Sequence, residues 1–200
     1  MPMAGSSTAD AAAFYFDLRS PEAYLAAERV LQLLPVAAEW IPVLSERLPA
    51  ADTLDGFRCD ADRDAFLHRI ERTAERRGLQ PLRWPDPFPF DSAFAMRAAT
   101  YAKQIGRAVP FTLAAFRQAF AGGRDLSVPD NVLVAAAACE MHPAAVLKAS
   151  ALGSIATRLD DATALAARRG VRDVPAVWLP GGRVFAGDDA LGGAAHALST

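Results

Sequence analysis

The sequence predicts one α/β domain whose sheet is interrupted by a block of helices. Three observations carry this reading. An aromatic-rich apolar run near the start gives way at a Ser-Pro pair to a helical pattern, the middle of the chain shows helical spacing alone, and the C-terminal stretch runs strand, glycine turn, strand, helix. The order β-α-β, helices, β-β-α does not alternate strand and helix throughout, which excludes a doubly wound sheet.

Taken in order, residues 1–10 (MPMAGSSTAD) are small and polar and read as a disordered leader. Residues 12–18 (AAFYFDL) are short, aromatic and apolar, the pattern of a buried strand. Ser20 before Pro21 fits an N-cap followed by proline at the first helical position, and Tyr24, Leu25, Val30, Leu31 and Leu34 continue the helix until Pro35 stops it. Residues 37–43 (AAEWIPV) read as a second strand, with Pro42 marking its end or a sheet edge. Residues 44–60 lack periodicity and read as a loop. Phe66, Leu67, Ile70 and Ala74 then predict a helix over 62–77, closed by Gly78.

The prolines of Trp84-Pro-Asp-Pro-Phe-Pro-Phe forbid regular structure there. Asp91 or Ser92 can cap a helix running to about 104, Pro110 opens another that Gly122-Gly123 ends, and further helices are expected over 130–140, 143–151 and 154–169. Residues 174–179 (VPAVWL) predict a strand, Pro180-Gly181-Gly182-Arg183 a turn, and Val184-Phe185 its partner. Gly187-Asp188-Asp189 can cap a last helix to about 198.

Composition bounds the function classes. A hydrophobic fraction of 52% with 22% charged residues is that of an ordinary soluble globular protein. A net charge of −2 gives no footing for nucleic acid or an anionic membrane surface. The apolar run at 11–16 stops at Asp17, too short for a signal segment or a membrane span. Cys59 and Cys139 lie far apart and form neither a C-x-x-C nor a zinc pattern, and His68, His142 and His196 are scattered without metal-ligand spacing. The expected location is the reducing cytoplasm.

Three places carry candidate chemistry. Ser20 sits where a strand feeds a helix, so its hydroxyl and the first N–H groups favour an anion, including a thiolate brought by a ligand; a simple helix cap explains it too. Val174-Pro175 before a strand fits a cis proline holding backbone open for a ligand, or an ordinary edge-strand proline. At Gly187-Asp188-Asp189 the N–H groups suit a carboxylate and an aspartate suits an ammonium, with capping as the plain alternative.

Together these stretches gain specificity. FYFDLRSPEAYLA, FPFDS and VPAVWLPGGRVFAGDDAL, with FRQAFAGGRDLSVPDNV between them, resemble the 2-hydroxychromene-2-carboxylate isomerases and the related kappa-class glutathione transferases, of the DsbA-like branch of thioredoxin folds. The resemblance spans nearly all of residues 13–198. It implies one DsbA-like domain over 11–198, with its thioredoxin part at 11–60 and 154–198 and a helical insertion over about 61–153. It also implies a glutathione cofactor that is not consumed, a small aromatic conjugated substrate of 2-oxoacid type, and a homodimer.

By that resemblance Ser20 hydrogen-bonds the glutathione sulfur as the catalytic residue. Val174 pairs through its backbone beside a cis Pro175, and Asp188 and Asp189 hold the γ-glutamyl end. Phe88, Phe90, Phe94, Phe111 and Phe116 are candidates to face the substrate, or plain core.

The pattern also departs from those relatives. Where relatives often read S-P-Y-S-Y this chain has Ser20-Pro21-Glu22-Ala23-Tyr24, and Glu22 puts a negative charge beside the thiolate site but reads as a dipole-stabilising first-turn residue. The loop 44–60 lacks the lysine and asparagine that relatives use to grip glutathione, leaving Arg47 or Arg58 as substitutes. Cys59 could add a thiol there. Thr73 stands near an expected tryptophan, Asp189-Ala190 replaces an Asp-Arg pair, and Asp91-Ser92 replaces an Asn-Thr pair. The run from Glu71 to Arg77 reads as a solvated face with i,i+4 pairs. Three readings stay open: a glutathione-dependent isomerase, a glutathione transferase, and a binding protein that has lost catalysis. Dithiol exchange is excluded, because no cysteine stands at 20 or 23.

Overall fold

The computed structural model describes residues 11–50 and 56–199, so the leader expected at 1–10 lies outside the described residues. Strand β1 (Ala12–Phe16) is buried at every position, which is why its sequence is a continuous apolar run instead of an alternating one. Helix α1 (Pro21–Leu33) follows, and β2 (Ala38–Pro42) pairs parallel to β1. Near the C-terminus β3 (Ala176–Leu179) pairs antiparallel to β1, and β4 (Arg183–Ala186) pairs antiparallel to β3. The sheet order β2-β1-β3-β4 puts Pro42 on an edge strand, as its missing N–H requires.

Between β2 and β3 lie α2 (Asp60–Arg76), α3 (Ala93–Gln104), α4 (Ala108–Phe120), α5 (Pro129–Ala138), α6 (Pro143–Ser150) and α7 (Gly153–Arg168); α8 (Ala190–Ser199) closes the chain. The loop expected over 44–60 contains a short 3-10 turn at Ser45–Arg47. Helix α4 begins at Ala108, two residues before the proline expected to open it, because proline fits anywhere in a first turn whose N–H groups lack partners. Gly78 adopts φ +66° just past α2, the left-handed position that glycine fills without strain.

Pleating splits the strands between two cores. Phe14, Phe16, Trp40, Val177 and Leu179 point to one side, where they meet α1, α8 and the helical block. Ala13, Tyr15, Ile41, Ala176 and Trp178 point to the other, against Ala166 of α7 and Val171. The larger core is aromatic at its centre. Phe116 of α4 lies 6.1 Å from Phe16 and 6.0 Å from Tyr24, ring centre to ring centre, and so fastens the helical block to the sheet and to α1.

Tertiary contacts engage side chains that the sequence placed only locally. Within Gly187-Asp188-Asp189, Asp188 receives an ion pair from Arg77 at 2.7 Å. The charged run at the end of α2 is not simply a solvated face. Glu71 accepts a hydrogen bond from Trp84 Nε1 at 2.7 Å, and Arg77 reaches Asp188. Both partners lie outside the helix, so local spacing could not reveal them.

Candidate functional site

The C-terminal end of β1 organises the site. The last residues in antiparallel register are Tyr15 and Ala176, so Val174 and Pro175 leave β3 alongside the segment that leads to Ser20. Gly187 N–H donates to the carbonyl of Pro175 at 3.0 Å, which fixes the start of the last helix against the same loop. The segment leading into β3 and the start of the last helix therefore lie at the same end of the sheet as the β1–α1 turn. The Val174–Pro175 peptide is cis. Strand β3 is interior to the sheet, so the edge-strand reading of Pro175 does not hold.

Ser20 is 3% exposed and is the N-cap of α1, its Oγ accepting from the Ala23 N–H at 3.1 Å. The capping reading is therefore correct as far as it goes. One lone pair is used, and the hydroxyl proton has no acceptor among the described residues. Pro21 has no N–H, the Ala23 N–H is capped and the Tyr24 N–H is bound to the Ser20 carbonyl, so the Glu22 N–H is the donor of this first turn with no acceptor among the described residues. A sulfur anion placed here would meet two donors, the Ser20 hydroxyl and the Glu22 amide. The Glu22 carboxylate turns aside to Arg69 at 2.8 Å, which removes much of its opposition to a neighbouring anion.

Beneath Ser20 lies a polar layer that the sequence did not announce. Asp17 is fully buried, with Oδ1 accepting from the Arg19 N–H at 3.1 Å and Oδ2 accepting from the Ser45 N–H at 2.9 Å and the Ser45 hydroxyl at 2.8 Å. Arg19 is 6% exposed, its guanidinium 3.5 Å from the Glu46 carboxylate. This layer ties the β1–α1 turn to the segment after β2. The one sequence signal was an aspartate set directly after an unbroken apolar strand.

The remaining candidates distribute unevenly. Val174 N–H is already taken by the Oδ1 of Asp173 at 2.7 Å, so a ligand pairing with that amide must displace a carboxylate. Asp188 is engaged by Arg77, whereas Asp189 is exposed and its carboxylate has no partner among the described residues. Arg47, one proposed substitute for a loop lysine, is bound to Asp160 at 2.7 Å. Cys59 is exposed and Cys139 buried, and burial pushes the Cys139 thiol pKa up, in keeping with a small core residue. Phe88, Phe90, Phe111 and Phe116 are buried in the aromatic core, and Phe94 packs against it half-buried. Among the described residues no cluster of three or more potential metal ligands occurs, and no helix is long and apolar enough to cross a membrane.

A four-stranded sheet in the order β2-β1-β3-β4, with a cis proline before β3 and a helix starting at the end of β1, is a thioredoxin fold; the helices between β2 and β3 make it the DsbA-like variety. The chain belongs to the DSBA-like thioredoxin domain family, whose model matches residues 12–199. Among solved structures it is similar to a 2-hydroxychromene-2-carboxylate isomerase, at TM-score 0.81 and 21% identity over 94% of each chain. A probable DsbA oxidoreductase from Streptomyces coelicolor matches at TM-score 0.75 and 18% identity, over 94% of this chain and 88% of that one. The cytosolic disulfide reductase DsbM from Pseudomonas aeruginosa, in a structure with GSH, matches at TM-score 0.66 and 16% identity, over 95% of this chain and 100% of that one. No curated protein matches the sequence. These structures include an isomerase and disulfide oxidoreductases, and at such identities the likeness is one of fold.

Proposed function

We propose that this chain is a glutathione-dependent cis-trans isomerase, acting on a small aromatic conjugated acid of the 2-oxoacid type. The observation that carries the reading is Ser20, a hydroxyl with an uncommitted proton at a helix N-terminus, where a dithiol oxidoreductase needs a cysteine. The fold likeness to an isomerase and to a reductase seen with GSH supports it.

Glutathione, when bound, would supply a sulfur nucleophile for reversible addition to the conjugated system. The chain's part is binding and orientation. Ser20 Oγ–H and Glu22 N–H donate to the sulfur and favour its ionised form, and the positive end of the α1 dipole adds to both. Asp189 accepts the γ-glutamyl ammonium, while Asp188 and Arg77 form a pair whose cation can turn to the adjoining carboxylate. The Val174 backbone and Pro175 line the cysteinyl segment.

A second reading, a binding protein without turnover, is favoured by the hold of Asp173 on the Val174 amide. Calorimetry with glutathione on wild type and Ser20→Ala separates the two. Micromolar-to-millimolar binding that weakens in the variant, followed by turnover of a chromene carboxylate without loss of free glutathione, is the expected result. No heat at millimolar glutathione in folded protein overturns the proposal, and glutathione leaving attached to product reassigns the enzyme to the transferases.

A further inference from the structure

A cavity lies between β2, α3 and α7, on the sheet face opposite α1. Its volume is about 560 Å³, within the range of small-molecule sites. Tyr15 and Ile41 line it from the sheet, Thr100 and Lys103 from α3, and Arg158 and Leu165 from α7, with Arg169 just past the end of that helix. Ser20, Val174, Asp188 and Asp189 take no part in it.

Its electrostatics are unbalanced in a specific way. Lys103 is neutralised by Glu39 at 2.6 Å. Arg158 and Arg169 have no carboxylate partner among the described residues. Arg169 is held in place instead, its guanidinium 3.9 Å above the Trp178 ring and one N–H donated to the Tyr15 hydroxyl at 2.9 Å. Tyr15 is fully buried at the edge of this cavity, and its own proton has no acceptor among the described residues. Burial raises its pKa, so the phenol stays a donor at neutral pH. Lys103, Arg158 and Arg169 against Glu39 and Asp161 leave a surplus of one positive charge on the lining. Ile41, Pro42, Ala162 and Leu165 supply an apolar wall.

We propose that this cavity is a second ligand site, built for a small organic monocarboxylate with a flat apolar body. Arg169 and the Tyr15 hydroxyl take the carboxylate, and Arg158 at the rim completes the charge. The ring lies against Pro42 and Leu165. The single surplus charge and the opposing Asp161 select a monoanion over a phosphate dianion.

The test is an amide NMR titration of the whole chain with benzoate, with inorganic phosphate and acetate as comparison probes. Expected are saturable shifts at Ile41, Thr100, Ala162 and Arg169, tighter for benzoate than for either comparison ion. Affinity should fall about tenfold in Arg158→Gln, whose exposed side chain leaves the fold intact, and in Arg169→Gln if that variant folds. No saturation by roughly 50 mM benzoate, shifts confined to the surroundings of Ser20, unchanged affinity in Arg158→Gln, or tighter binding of phosphate would each overturn the proposal.

Discussion

The carboxylate of Asp17 binds Ser45 twice, through its backbone N–H at 2.9 Å and its hydroxyl at 2.8 Å, and so locks the segment after β2 beneath the turn that presents Ser20. Asp17 directly follows β1, and Ser45 opens the 3-10 turn after its parallel neighbour β2. Asp17→Ala leaves the Arg19 and Ser45 amides and the Ser45 hydroxyl buried without their acceptor. Urea unfolding is expected to show a loss of about 3 kcal/mol. A loss below about 0.5 kcal/mol would mean that water replaces the carboxylate at no cost.

Phe116 sits where three aromatic partners meet, Phe16, Tyr24 and Phe120, and is fully buried. Truncation to alanine removes the ring that binds the helical block to the sheet. The expected destabilisation is about 3–5 kcal/mol in the same assay. If Phe116→Ala instead changed substrate affinity with stability intact, the ring would belong to the binding site and not to the core.

Tyr24 gives the stability a defined alkaline limit. Its side chain is buried between Phe116 and Phe120, and burial, with the nearby Glu28 carboxylate, pushes its pKa from 10.0 up to about 12. The folded state therefore holds the phenolic proton more tightly than the unfolded chain does. This stabilisation is complete below pH 10 and is lost as pH rises from 10 towards about 12, a total on the order of 2 kcal/mol. In Tyr24→Phe that part of the fall should vanish. Chemical denaturation at a series of pH values reads it, and parallel curves for the two proteins would refute the assignment.

Asp173 closes the Val174 amide with a 2.7 Å hydrogen bond. If glutathione pairs with that backbone, the carboxylate is a competitor, and Asp173→Ala should tighten binding by about threefold to tenfold. Calorimetry checks this directly. Weaker binding in the variant would show that Asp173 orients the loop for the ligand and does not compete with it.

Much of this fold was legible along the chain because the signals were local. The Ser20-Pro21 start of α1, the left-handed Gly78 and the Gly181-Gly182 turn each follow from backbone chemistry within a few residues. The unbroken apolar run of β1 and the helical spacing between β2 and β3 fixed the order of elements, and their motifs pointed to the DsbA-like family that the match over 12–199 establishes.

Tertiary structure decided what those local signals meet. It set the sheet order, turned Arg77 to Asp188 and Arg69 to Glu22, buried Asp17 against Ser45, and enclosed a cavity between Arg169, Tyr15 and Arg158. The reason is physical. Backbone preference and hydrophobic period act over a few residues, whereas a charged side chain finds its partner across tens of residues of sequence only once packing has brought the two elements together.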